Sequence, residues 1–525
     1  MRTLATVTLG VSLALTALAA TATAQNAAAD KKPDAPALYQ ANCASCHGAD
    51  RLGGMGPALL PENLERVRRP EALKVIGHGR PATQMPGFAD QLSEAEIKAL
   101  ADYVYTPPAS VPEWNYAEIR ASRLVHFPGP LGDKPTFKAD PQNLFIVVEL
   151  GDHHATLLDG DRFEPIDRFQ TRFALHGGPK FSPDGRFVYF ASRDGWISRY
   201  DIYNRKTTHE IRAGINTRNL AVSDDGKVVL VGNYLPHTLV VLDAADLSLM
   251  KVIPAKTRDG KTSRVSAVYQ AAPRQSFIVA LKDSPEVLEI PYALPAKKKS
   301  WVHDFGPNSG EMTVGAQTFP VRQIPVEDYL DDFFFDQPYK HLIGASRQGH
   351  QGQVIDLDTG KKVSNIDLPG MPHLGSGITW EWNGRPVMAT PNLKDWVVSI
   401  IDMQTWKTLK QIPTLGPGFF MRSHENSPYA WVDGMNGPNK DVMTVIDKAS
   451  LTVKAQLKPE PGKTASHVEF TQDGRYALVS IWEQDGALII YDAKTLKEVK
   501  RLPMRKPSGK YNVFNKTTRS AGTSH

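Results

Sequence analysis

The chain has 525 residues, a formal charge of +5 and two cysteines. That length is too great for one ordinary domain. The mildly basic balance comes without a Lys/Arg block interleaved with aromatics, which excludes nucleic acid as a partner, and beyond the N-terminal stretch no segment is long and apolar enough to span a bilayer.

The N-terminus, MRTLATVTLGVSLALTALAATATAQ, has an early charge at Arg2, a long apolar run and small residues ending at Ala24. It predicts a secretory signal peptide over residues 1–24, cleaved near Gln25. The alternative, an uncleaved anchor, has a short and weakly flanked apolar run against it. The mature chain is expected to be exported.

Both cysteines lie in ANCASCHGAD, as Cys43 and Cys46, followed by His47. An oxidising compartment would allow a disulfide between them. A thioredoxin-like site would need a βαβ setting, and a zinc site two more ligands. Cys-x-x-Cys-His instead predicts covalent haem c, with two thioether bonds from the cysteines and His47 on the iron. TQMPGF places Met85, a natural sixth ligand, 38 positions after His47, with His78 as its rival. LSEAEIKALADYVY carries a Ser93/Glu96 capping box and an apolar face of Ile97, Leu100, Ala101 and Val104. A helix bearing the attachment site, a methionine loop and a terminal amphipathic helix resemble a small all-α class I cytochrome c domain, here over 25–108. The proline-rich TPPASVPEWN begins a linker, 109–118.

Over 119–525 short β-rich runs alternate with Asp-Gly and Asn-Gly turns, and one element recurs: a strand, an Asp-led turn, another strand. The leading positions are Asp159, Asp201, Asp243, Pro291, Asp356, Asp402, Asp447 and Asp492, at intervals of 42, 42, 48, 65, 46, 45 and 45. Eight units of that period predict a mainly β fold, an eight-bladed β-propeller. The interval of 65 implies an insertion of about 20 residues within 303–330. Inner strands line a central channel, so chemistry is expected there; a cofactor-free interaction platform is the competing use of such a ring. Near the inner strands lie His176 (LHGGPK), Arg218 and Asn219 (NTRNLA) and His467 (ASHVE). A single histidine there could simply cap a backbone group. Two at corresponding places, on a chain that already carries haem, favour a second cofactor. Imidazole suits iron, and arginines suit carboxylates on a macrocycle.

A cytochrome c domain followed by an eight-bladed propeller resembles the cytochrome cd1 nitrite reductases and their relatives. PSGKYNVFN near the C-terminus is very like the end of that family, and SRDGWISRYDI around Arg193 and NTRNLAVS around Arg218 look like its haem d1-contacting segments. LHGGPKFSPDGR resembles the segment supplying the proximal d1 ligand, which implies His176. The two histidines that protonate nitrite in the reductases are replaced here, by Asp331 and Asn392, and His373 aligns better with a different segment. Without such general acids, N–O cleavage would be crippled.

That departure is similar to the biogenesis branch of the family, the dihydro-haem d1 dehydrogenases. The resemblance implies that dihydro-haem d1 is bound and one propionate side chain oxidised to the acrylate of haem d1. Electrons would pass through haem c to an acceptor in the periplasm, and the product to the nitrite reductase in a transient contact. His467 is expected as distal ligand or base, with His424 as its rival, and Arg193 and Arg218 as carboxylate clamps. A nitrite reductase forming nitric oxide and a non-catalytic haem d1 carrier are the alternatives.

Overall fold

The computed structural model describes residues 32–519 apart from 65–66, 81–84, 111, 294–298, 302–310, 314–317 and 346–350. The predicted signal peptide lies outside them. Two compact units are present, one ending at Pro107 and the other beginning at Pro108. Among the described residues no helix is long and apolar enough to cross a membrane.

The first unit is helical, with helices Ala35–Asn42, Ala44–His47, Pro61–Leu64, Arg69–His78 and Glu94–Val104. The last begins at the capping box read from the sequence. Ser93 Oγ accepts from Glu96 N, and Ser93 N donates to the Glu96 carboxylate at 2.8 Å. Its apolar stripe is buried, and Leu100 and Val104 pack with Tyr39 and Leu64.

The second unit is an eight-bladed propeller. Eight four-stranded antiparallel sheets follow one another in chain order, the second gaining an extra outer strand, Leu124–Val125. Eight apolar clusters each join a pair of adjacent blades, so the hydrophobic core is a ring of interfaces. The ring closes through the C-terminal strand Pro507–Asn512. It is the inner strand of the first blade and pairs antiparallel with Leu144–Glu149.

The repeating aspartate has a physical reason. It ends the third strand of its blade, and Oδ1 accepts backbone N–H groups two or three residues on, at 2.7–3.2 Å, in seven blades. These backbone bonds hold the carboxyls of Asp356, Asp447 and Asp492 below the usual range. In the fourth blade Pro291 cannot accept such bonds, and the tight turn is lost there. The insertion therefore lies earlier than the predicted 303–330. It falls between the third strand, Glu286–Pro291, and the outer strand, Arg322–Pro325, and includes a small hairpin, Lys299–Trp301 with Glu311–Thr313.

The predicted linker is also shorter than 109–118. Trp114 Nε1 donates to Arg212 O at 2.8 Å, and Asn115 and Glu118 form a capping box for the helix Tyr116–Ala121, whose Ile119 is buried in the cluster between the second and third blades. Proline ends the cytochrome helix, but the capping box restarts order at once.

Trp431 is fully buried in the cluster between the seventh and eighth blades. Trp431→Ala is expected to cost about 3–5 kcal/mol, measured by guanidinium denaturation.

Candidate functional site

In the cytochrome unit Cys43 lies between two short helices, and both thiols are free. Burial, with Cys46 beside it, pushes the Cys43 thiol up to about 11. His47 N donates to Cys43 O at 2.9 Å, and the ring is buried. The chain turns back at Gly48, whose φ of +77° and close approach to Gly53 O suit glycine. Tyr39 Oη donates to Gly48 O at 2.8 Å, and Arg51 ties the turn to Tyr103 O and Thr106 O at 2.8 and 2.9 Å. Two free thiols one helical turn apart, followed by a buried imidazole, fit haem c. Met85 is half-buried, and its carbonyl accepts from Arg80 N at 3.1 Å; His78, its rival, is exposed at a helix end.

In the propeller a closed circuit of contacts runs round the axis through all eight blades. His176, just before the inner strand of the second blade, meets Arg218 twice. Nδ1 lies 2.6 Å from Arg218 O, and Nε2 lies 2.9 Å from an Arg218 guanidinium nitrogen. Arginine only donates, so Nε2 accepts and Nδ1–H donates to the carbonyl. Arg218 Nε donates to Ser266 O at 2.8 Å, and Ser266 Oγ to Leu330 O at 2.7 Å. In the fifth blade Asp332 accepts from Tyr269 Oη and from Gly375 N, and lies 3.6 Å from His373 Nε2. His373 Nδ1 is 2.6 Å from Phe419 O. The Phe420 ring lies 4.7 Å from that of His467, and His467 5.3 Å from Tyr511. Tyr511 completes the circuit against Gly178, where a Cβ would stand 2.9 Å from its ring. Gly177 is as constrained, with φ +80° and Asn219 against it. The two glycines after His176 thus let the segment lie flat on its neighbours.

His467 is held unusually. It sits in the inner strand Ala465–Phe470 at a bulge, with φ +45°, a left-handed backbone that few histidines adopt. Its N–H donates to Asp433 at 3.1 Å, and its carbonyl accepts from Lys510 Nζ. Burial raises the Asp433 carboxyl to about 6 against the pull of its backbone donors. Burial also drives the Lys510 amine well below its usual value. His467 is 1% exposed.

A cationic wall stands on the Arg218 side. The Tyr234 ring has Arg193 at 5.7 Å, Arg264 at 5.5 Å and Lys282 at 5.2 Å. Burial opposes ionisation of its phenol, but Arg218, Lys282 and Arg193 outweigh it and hold the group below its usual value. Arg264 pairs with Asp283 at 2.8 Å, and Lys282 with Asp331 at 3.4 Å. These four cations against two carboxylates favour an anionic ligand.

The structure thus brings together His176, Arg193, Arg218 and His467, adds His373, which the sequence reading set aside, and adds residues not read from the sequence: Tyr511, Lys510, Asp433, Tyr234, Arg264 and Lys282. His176 and His467 are not strictly equivalent. They precede the turn hydroxyls Ser182 and Thr471 by six and four positions, and only His467 lies within a strand. His424 is not part of the circuit. It follows Met421–Ser423 at the opposite end of the inner strands. There its Nε2 meets Gln472 O at 3.1 Å, and its Nδ1 accepts from Asn426 N. Asn392 is buried and caps a loop, accepting from Met371, Lys394 and Asp395 N–H groups. The HLGSG run after Pro372 carried a signal for His373, since closely spaced glycines again follow the histidine.

Residues 139–308 and 311–516 match the family described as Cytochrome D1 heme domain, and 31–104 that of the cytochrome c oxidase, cbb3-type, subunit III. The chain is 58% identical to a dihydro-heme d1 dehydrogenase of Pseudomonas aeruginosa, over 93% of this chain and 95% of that protein. It is 27% identical to the protein NirF of the same organism, over 70% of this chain and 90% of that one. The solved structure of dihydro-heme d1 dehydrogenase NirN in complex with DHE superposes with a TM-score of 0.86, covering 92% of this chain and 99% of that one.

Proposed function

The chain belongs to the cytochrome D1 heme domain family and groups there with the dihydro-haem d1 dehydrogenases, and on that premise we propose that it binds dihydro-haem d1 at the circuit of side chains and oxidises one propionate of that substrate to an acrylate. The observation that carries this reading is the placing of three imidazoles, His176, His373 and His467, in one ring with a cationic wall beside it.

The histidines divide by what holds them. His176 and His373 each have Nδ1 2.6 Å from a backbone carbonyl. That anchor fixes the tautomer and leaves Nε2, now facing Arg218 in His176 and Asp332 in His373, as the nitrogen for iron. These two are the proposed ligands of the substrate iron. His467 is held through its backbone instead, and its ring is the proposed base. Arg193, Arg218, Arg264 and Lys282 clamp the macrocycle carboxylates. Arg218 also covers His176 Nε2, so a carboxylate that draws the guanidinium away uncovers the ligand.

The reaction breaks two C–H bonds on adjacent carbons, forms a C=C bond and releases two protons and two electrons. His467 takes a proton, with Phe420 and Tyr511 packed against its ring. Cys43, Cys46 and His47 would hold haem c, with Met85 as the further candidate ligand, and the group would supply a one-electron relay to an acceptor in the periplasm. The product passes to a cytochrome cd1 nitrite reductase in a transient contact. A nitrite-reducing role is disfavoured by the loop-capping of Asn392.

The test is to add dihydro-haem d1 to the purified holoprotein under oxidising conditions and follow its absorption spectrum. Conversion to the haem d1 spectrum is expected; binding without conversion would leave a carrier. His176→Ala is expected to weaken binding at least ten-fold, the loss of about 1.4 kcal/mol or more, measured by titration.

A further inference from the structure

His373 and His467 stand two blades apart, and the segments that carry and anchor them are tied to one carboxylate. Resting on the dehydrogenase reading, we propose that Asp433 is a positioning residue for the reaction, setting the His467 imidazole against the segment that anchors His373.

Asp433 ends the strand Tyr429–Asp433 of the seventh blade, between the blades of His373 and His467, and is buried. Its Oδ1 accepts from Phe419 N at 2.7 Å and from Phe420 N at 3.2 Å. Its Oδ2 accepts from His467 N at 3.1 Å and shares the Phe420 N–H at 3.3 Å. The strand returns the contact, since Asp433 N donates to Phe420 O at 3.2 Å. One carboxylate thus bridges the loop before the seventh inner strand and the bulge in the eighth.

Each end of that bridge holds an imidazole. On the loop side the Phe419 carbonyl lies 2.6 Å from His373 Nδ1, and the Phe419 ring 4.2 Å from the His373 ring. On the bulge side His467 keeps φ +45°, a backbone that persists only where its surroundings fix it. Asp433 holds the N–H of that residue and Lys510 its carbonyl, so the bulge is pinned on both flanks. The ring of Phe420, whose N–H the two carboxylate oxygens share, packs 4.7 Å from the His467 ring. Asp433 therefore governs the place of that ring twice, through its own backbone and through the aromatic beside it. A general base works only within hydrogen-bond reach of the proton it takes, and a misplacement of about 1 Å removes most of the rate. Asp433 acts through these groups and not on the substrate.

The test is a double-mutant cycle on single-turnover conversion of dihydro-haem d1 by the haem c-loaded full chain. An amide offers one acceptor oxygen. In Asp433→Asn that oxygen keeps the bonds from Phe419 and Phe420, and the NH2 group faces the His467 N–H, donor against donor. The change frees the bulge and spares the anchor of His373. Conversion is expected to fall about ten-fold or more, while the binding titration and the absorption spectrum of the bound substrate stay as in the parent. With His467→Asn already in place, Asp433→Asn slows conversion by no more than about two-fold further, because the two residues act as one unit. Asp433→Glu, which keeps both acceptors and moves them by one methylene, shows the same dependence on His467 and decides the matter should Asp433→Asn not fold. A parental rate in Asp433→Asn overturns the proposal. So does an equal loss with and without His467, which is what a general loosening of the seventh blade gives. A parent that binds without converting overturns the dehydrogenase reading instead.

Discussion

Replacing His467 by Asn slows conversion of dihydro-haem d1 by about 10²–10⁴-fold, the range for loss of a general base, while substrate affinity stays close to that of the parent. Asn is the informative choice because the backbone here has φ +45°. Asn tolerates that conformation, whereas Ala adds strain. The N–H bond to Asp433 and the carbonyl bond from Lys510 are main-chain contacts and survive the change. Single-turnover absorption gives the rate, and equilibrium titration gives the affinity. If His467→Asn and His176→Ala weaken binding alike, His467 is an iron ligand and not the base.

Cys43→Ser with Cys46→Ser removes covalent haem and brings net turnover to background, while the propeller still binds its substrate. The two units predict different responses. Among the described residues the buried apolar cluster of the cytochrome unit is built on Tyr39, Leu64, Leu100 and Val104. So small a core needs its prosthetic group to fold. The variant therefore loses helical circular dichroism and the haemochrome absorbance together. The propeller, with its eight interblade clusters, keeps its strand signal and its unfolding transition. Loss of substrate binding along with the haem would show that the propeller site depends on the first unit.

What the sequence revealed was what is locally encoded. The attachment motif is five consecutive residues, and the blade count rests on an aspartate that makes bonds two or three residues away. Family likeness then placed His176, Arg193 and Arg218. The residues that escaped reading are those whose partners are far along the chain. His373 enters the site only because the sixth and seventh blades are adjacent, through Phe419 and Phe420. Tyr511 and Lys510 do so only because the last strand joins the first blade. Arg264 and Lys282 gather on Tyr234 of the preceding blade, which no periodicity encodes. His424 stands apart for a geometric reason: it follows its inner strand, whereas His467 lies near the start of its own.

The closing strand has a further consequence, for the order of folding. Asn143 and Asn512 are hydrogen-bonded across 369 positions, so this contact has among the largest loop-closure costs in the chain. The strand that makes it also carries Lys510 and Tyr511. Binding competence is therefore acquired when the ring shuts, late in folding, and an open ring has no complete pocket in which to trap a reactive tetrapyrrole. The converse follows by linkage: substrate that binds only the closed ring also holds it closed, so the enzyme resists unfolding best while it is loaded.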